Sequence, residues 1–429
     1  MSSPPRKIGL LLGAGFSYDL GMPLAQELTE VLLKPITPRT AQELARAMTR
    51  ARPYGADRPL NEPALLKCFE VLLSYKAAHG KNYEAMLAQI EDLARRPSGS
   101  QSDRDCAQYF SAVLYERIHD ILSAYQAAAY EILYPKNFRW YANLGNLLST
   151  QETWVFTLNH DLFLECLALD LKIPISYGDV ASKEFPVSNL EMHERVRFSC
   201  IDRSQYTTAS AGFLRDQPGI NLVKLHGGLS EHDYDDKRTI CNLDLTGKSS
   251  QELMAEYAKA ARMAYYEHGV AAAAARDRFV TNLEGKCDLL GKAMLTGGYK
   301  YSTTANPKEG EEKLALLDHA LGELDQLTVI GYGFGDKHVN FRLSHAMARR
   351  EGLSIRIVDP HRHALPVFLE PFDYKSRVRS AVCGATLWMD YSKSNRWDAA
   401  HMESLKENAS LREAVRMRAE AALRRGRPS

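Results

Sequence analysis

The sequence predicts an α/β fold: a parallel sheet covered by helices on both faces, with large helical insertions between its strands. Three observations carry this. Short apolar runs of strand length recur at residues 8–12, 153–158, 221–225, 327–330 and 353–358. Stretches with helical spacing separate them, and strands alternating with helices build parallel sheets buried on both sides. Each run stops at a polar or glycine-rich motif, and ligands bind such sheets beyond the carboxyl ends of the strands.

The first run ends at Gly13-Ala14-Gly15-Phe16-Ser17, and Gly21-Met22-Pro23 comes soon after. Leu24, Leu28, Val31 and Leu32 then take helical spacing, so the segment reads as strand, tight turn and helix. The glycines let the backbone turn sharply and approach a ligand, and the helix start favours phosphate. Asp19 occupies the third glycine position of a G-x-G-x-x-G fingerprint. The second run ends at Asn159-His160-Asp161. A short amide and a carboxylate there can orient a hydroxyl, a water or a carboxamide, and both are also ordinary turn residues. The third ends at His226-Gly227-Gly228, where the histidine is either a general base with room beside its ring or a packed, hydrogen-bonded side chain. The fourth ends at Gly331-Tyr332-Gly333-Phe334-Gly335-Asp336. The last ends at Asp359, a candidate acceptor for ribose hydroxyls.

These motifs divide the chain. Residues 1–34, 149–230 and 325–394 form the sheet core. Residues 35–148 read as a helical insertion, with Met86, Leu87 and Ile90 on one helix and Phe110, Leu114, Ile118, Ile121, Leu122 and Tyr125 on another. Residues 231–324 read as a second, mostly helical insertion. It contains Ser249-Ser250-Gln251-Glu252 at capping-box spacing, the helix former Ala271 to Ala275, and a loop around Gly297-Gly298 and Lys308 to Glu312. Residues 395–429 read as a helical basic tail ending in Arg424-Arg425-Gly426-Arg427.

At 429 residues, two or three domains are expected. Hydrophobic content of 45% and charged content of 25% suit a soluble globular protein. A net charge of +1 gives no whole-protein case for nucleic acid or an anionic membrane. No apolar stretch is long enough to span a bilayer, and glycine breaks the run after Lys7 too early for a signal core, so a cytoplasmic location is expected. The seven cysteines form no C-x-x-C pair, and no metal is expected.

In their order along the chain, these motifs resemble the sirtuin family. The resembling elements are Gly13-Ala14-Gly15-Phe16-Ser17 with Gly21-Met22-Pro23, Thr157-Leu158-Asn159-His160-Asp161, Leu225-His226-Gly227, Gly331-Tyr332-Gly333 and Val358-Asp359. The resemblance covers about half the chain and implies a Rossmann-like core. It implies that Gly13, Ala14, Gly15, Phe16 and Ser17 cradle NAD phosphates. Asn159 would position ribose or water, Asp161 would meet the nicotinamide carboxamide, and His226 would be the general base. Gly331, Tyr332, Gly333 and Asp359 would hold the adenosine half. After Gly-Met-Pro the chain departs from protein deacylases, continuing Leu24-Ala25-Gln26-Glu27, and it lacks their paired zinc cysteines. It is more similar to the bacterial sirtuin-like NADases of antiphage defence. That branch implies cleavage of NAD+ to nicotinamide and ADP-ribose, with NAD as substrate, and depletion of NAD in the infected cell.

Three other readings stay open: an NAD-dependent protein deacylase, a non-catalytic sensor of NAD or ADP-ribose, and a nuclease subunit. A free-running NADase would kill its host, so the activity must be gated. Among the sirtuin-like defence proteins, compact chains of this size resemble those that form rings with a HerA-type hexameric ATPase. The expectation is therefore a homo-oligomer larger than a dimer, with that ATPase as partner.

Overall fold

The computed structural model describes residues 7–50, 60–148, 151–188, 193–235, 237–263, 266–267, 270–271, 277–281, 287–294, 310–361 and 364–425. Strand β1 (Ile8–Leu12) runs into α1 (Ala14–Tyr18) and α2 (Ala25–Leu33). A helical block comes next: α3 (Pro38–Arg50), α4 (Glu62–Ala77), α5 (Tyr83–Arg95), the long α6 (Gln101–Ile132), α7 (Tyr134–Asn137) and α8 (Asn143–Leu148). After it stand β2 (Glu152–Thr157), α9 (Phe163–Asp170), β3 (Ile175–Ser176), β4 (Ala181–Pro186), β5 (Arg195–Asp202) and β6 (Gly219–Lys224). The next elements are β7 (Glu231–Tyr234), β8 (Thr239–Leu243), α10 (Ser250–Arg262), β9 (Tyr266–Glu267), β10 (Val270–Ala271), β11 (Asp277–Thr281) and β12 (Cys287–Lys292). The chain closes with α11 (Glu311–Glu323), β13 (Gln326–Ile330), α12 (Lys337–Arg349), β14 (Ser354–Val358), β15 (Val378–Ala381), α13 (Ala385–Ser394) and α14 (Ala399–Arg425).

Seven strands form a parallel sheet in the order β15-β14-β13-β1-β2-β6-β3. This is the expected α/β, Rossmann-like architecture with helical insertions. Strand β1 is central, and its two faces feed different cores. Leu10 and Leu12 pack with Val155, Ile330 and Val358 in a core that continues into α6 and α13. Leu11 packs with Phe156, Val223 and Val329 against the apolar sides of α11 and α12. Burial on both faces is why the strand is an unbroken apolar run.

The first insertion is helical as expected, and α6 buries Phe110, Leu114, Ile118, Ile121, Leu122 and Tyr125. The second differs from expectation. Residues 231–324 contribute β7, β8, β11 and β12 to a six-stranded antiparallel sheet of order β11-β12-β7-β8-β5-β4, and its other two strands come from within 149–230. These strands are short, and β4 and β5 at one side of the sheet are partly exposed. In β5, Val196, Phe198 and Cys200 are buried while Arg195 and Arg197 face water, so no continuous apolar run marks the strand. Ala271 stands in β10 rather than in a helix. Ala272 to Ala275, Gly297-Gly298, Lys308, Glu309 and Gly426-Arg427 lie outside the described residues.

The tail helix α14 is packed along its length. It buries Val415 and Ala419, and Arg412 reaches back to the start of the chain. That guanidinium pairs with both carboxylate oxygens of Glu27 at 3.0 and 2.8 Å, donates to the Met22 carbonyl at 3.2 Å, and lies 3.5 Å from the centre of the Tyr18 ring. Asn137 donates to Asn408 at 3.1 Å and to the Asp19 carbonyl at 2.5 Å. Asp19 explains its own departure from the glycine fingerprint. Its carboxylate accepts from Thr386 at 2.7 Å, and burial raises its pKa.

Ion pairs join the antiparallel sheet to α11. Arg203 bridges Asp233 and Glu312, and Lys313 meets Glu231 at 2.5 Å. Beside them Asp179 has a sealed Oδ2 with no partner among the described residues, and its Oδ1 takes a 3.4 Å contact from Asn242. Burial pushes this carboxyl up to about 8. The unfolded chain loses the proton near pH 4 while the folded chain keeps it to about 8. Stability is therefore lost as pH rises through that window, at roughly 1.4 kcal/mol per pH unit. Asp179→Asn should flatten this slope and make the protein more stable than wild type at pH 8. Urea unfolding at pH 5, 6.5 and 8 checks it, and parallel slopes in the two proteins would count against it.

Candidate active site

Five adjacent strands bring the motifs to one edge. Asp359 comes after β14, Gly331 after β13 and Gly13 after β1, while Asn159 lies just beyond β2 and His226 just beyond β6. Four strand spacings separate the ends of this row, about 19 Å. The chain reverses its direction of winding between β1 and β13, the place where open α/β sheets form a ligand crevice.

At that reversal two glycine turns meet. The Gly13 N–H donates to the Ile330 carbonyl at 2.9 Å, and the Gly15 N–H to the Gly331 carbonyl at 3.0 Å. A side chain on Gly13 or Gly15 would run into the Gly331 turn at 2.6 and 2.7 Å. The glycines therefore serve close approach, but of one turn to the other. The Phe16 N–H is also committed, to the Gly13 carbonyl at 2.9 Å. Of the donors expected to face phosphate, Ala14 remains: it is exposed at the first position of α1, where the N–H has no intrahelical acceptor. The longer helix predicted after the turn is separate, beginning at Ala25, and α1 itself has five residues. Phe16 points inward onto Tyr141, with ring centres 5.4 Å apart.

Ser17 is buried and links the next two candidates. Its Oγ accepts from Asn159 Nδ2 at 3.2 Å, and its hydroxyl favours the charged form of the nearby Asp161 carboxyl. Asn159 Nδ2 donates also to the Gly13 carbonyl at 2.9 Å, which fixes the amide's orientation. Its Oδ1 accepts nothing from the described residues. Asp161 accepts from the Phe163 N–H at 3.0 Å, and burial raises its pKa against the opposing pull of Lys224. Lys224 is itself buried. Its ammonium donates to the Asp161 carbonyl at 2.6 Å and pairs with Glu165 at 2.6 Å, and Glu165 also takes the Tyr177 hydroxyl at 2.9 Å.

His226 is 5% exposed, and its Nε2 lies 2.9 Å from Asp336 Oδ2. His160 lies beside it, ring centres 6.3 Å apart. The structure thus joins Gly13, Ser17 and Asn159 in one hydrogen-bonded group, with Asp161 nearby and with His226 and Asp336 on the neighbouring strand ends. Gly331 packs on Gly15 with φ +64. Tyr332 is buried, and its hydroxyl lies 3.0 Å from Asn340 Oδ1 and 3.1 Å from the Asp336 N–H, closing the loop. Gly333 is exposed, with open space where a side chain would be. Asp359 accepts from the His361 N–H at 2.9 Å, at the far end of the row from His226.

Sequence reasoning missed Lys224, Glu165 and Asp336 as parts of the site. A lysine ending a fully buried strand and a glutamate on an apolar helix were the available signals for the first two. Among the described residues no group of three His, Cys, Asp or Glu side chains is placed to hold a metal, and no helix is long and apolar enough to cross a membrane. No family model matches the chain, and no curated protein matches it in sequence.

Proposed function

We propose that the chain is an NAD+ glycohydrolase that releases nicotinamide and ADP-ribose. The observation that carries this reading is that Asn159, bonded to the first glycine turn, and His226 lie just past two adjacent strands, in the order in which the sequence resembles the sirtuin-like NADases. Nicotinamide in NAD+ is a cationic leaving group, so its departure needs little acid. Water adds to ribose C1′ as the C1′–N bond breaks. The bonding pair leaves with the nicotinamide, and the water proton passes to His226. Asn159 Oδ1 is the acceptor that orients ribose or water, and the buried Asp161 carboxyl is the group for the carboxamide. Ala14, Gly333 and Asp359 line the remainder of the row toward the adenosine half.

By the same resemblance, the activity serves antiphage defence through NAD depletion. It is gated in a homo-oligomer larger than a dimer, with a HerA-type hexameric ATPase as partner. Size-exclusion chromatography with light scattering tests the assembly; a fully active monomer removes that part of the proposal.

The test of the chemistry is incubation of the purified protein, with and without the ATPase, with NAD+, monitoring nicotinamide and ADP-ribose by chromatography. Asn159→Ala and His226→Ala should each lower turnover about 100- to 10,000-fold while the protein stays folded. Full activity in either folded variant overturns the assignment. Tight NAD+ binding with no product in any assembly would favour the sensor.

A further inference from the structure

Asp336 carries no role in the resemblance, yet its carboxylate is in direct polar contact with the His226 ring. Its two oxygens do different things. Oδ2 lies 2.9 Å from His226 Nε2, and both side chains are nearly sealed, at 6% and 4% exposure for His226 and Asp336. Oδ1 caps α12, accepting from the His338 and Val339 N–H groups at 2.8 and 3.1 Å. The start of a 13-residue helix is an environment that suits a carboxylate, and it holds this one rigidly. The Asp336 N–H is held in turn by the Tyr332 hydroxyl. The glycine-rich turn after β13 therefore delivers an anchored carboxylate to a histidine 110 residues earlier in the chain.

We infer that Asp336 is the positioning residue of His226: it fixes the ring, accepts the Nε2–H hydrogen bond, and so selects the neutral tautomer whose lone pair is on Nδ1. This rests on the NAD+ reading for its chemical consequence and on geometry alone for the pairing. When His226 takes the water proton, the imidazolium that forms faces the Asp336 carboxylate, and that ion pair stabilises it. No proton needs to move to Asp336. The other ionisable groups on neighbouring elements include His160 and Asp161 after β2, the Lys224–Glu165 pair, Glu231 with Lys313, His338 on α12, and Glu84 on α5 near Tyr332. They stay the same in variants at Asp336.

Two variants separate this role from the helix cap. Asp336→Asn keeps a capping oxygen and nearly the same shape but loses the charge. Asp336→Ser keeps a cap and is too short to reach the ring. Both should unfold at close to the wild-type temperature. Histidine side-chain 15N spectra, assigned with His226→Gln, should show the wild-type His226 protonated on Nε2 when neutral. Its pKa should fall by about one unit or more in both variants, because an adjacent carboxylate favours the charged ring. On NAD+, kcat should fall on the order of 100-fold or more with KM changed little, and the acid limb of the kcat profile should move to lower pH. Unchanged His226 titration in the folded Asp336→Asn protein overturns the pairing. Altered titration with wild-type kcat overturns the positioning role. If the wild type cleaves no NAD+ in any assembly while the spectra shift as stated, the NAD+ reading fails and the pairing stands.

Discussion

Lys224→Met is expected to cost the fold about 3–5 kcal/mol, the usual loss when one partner of a buried ion pair is removed. The Lys224 and Glu165 side chains are 1% and 0% exposed, and their charged atoms meet at 2.6 Å. Methionine fills the space of the lysine stem but leaves the Glu165 carboxylate without its cation, and Oε2 of that carboxylate already has no hydrogen-bond partner among the described residues. The Asp161 carbonyl loses its donor as well. Replacing both members, in Lys224→Met with Glu165→Leu, should recover much of the loss, since a well-packed apolar pair can match a buried ionic one. Urea unfolding monitored by circular dichroism measures both. A single variant within about 1 kcal/mol of wild type would show that the pair is not what holds the turn after β2 to the end of β6.

Gly331→Val should be comparably severe. Gly331 has φ +64, and a Cβ there would sit 2.4 Å from Gly15 Cα. Backbone strain of about 1–3 kcal/mol adds to overpacking of about 1–3 kcal/mol, on the order of 4 kcal/mol together. The obstruction is backbone on both sides, so no side chain can swing away. Gly333, two residues on, has open space around it and no positive φ. Gly333→Ala should therefore stay within about 0.5 kcal/mol. Thermal unfolding of the two proteins is the comparison, and equal melting temperatures would show that the two glycine turns do not need their present contact.

The edge of the sheet was legible because strands buried on both faces must be continuous apolar runs, and the residues just past their carboxyl ends stand at the ligand-facing side. Asn159, Asp161 and His226 were found that way. What each touches was not legible. The pairing of His226 with Asp336 depends on β6 and β13 lying on opposite sides of β1 and β2, a matter of strand order rather than spacing. Gly13 and Gly15 read as residues that let a ligand approach, while the body that approaches them in the structure is Gly331, far along the chain. The antiparallel sheet was missed because its strands are short and polar residues interrupt their apolar ones. The alternation of Arg195-Val196-Arg197-Phe198 was the signal that could have found β5.

The strand order also sets a timetable. At the foot of β1, the Lys7 N–H bonds the Asp325 carboxylate just before β13, 318 residues later. At synthesis rates of roughly 5–20 residues per second, β1 waits about 15–60 s on the ribosome for that neighbour. During that time only its β2 flank can be covered. Until β13 emerges, Gly331 is absent from the first turn and Asp336 from His226, so an incomplete chain carries an unfinished site. A protein of this topology completes this edge of its sheet only when β13 and the turn after it have been made.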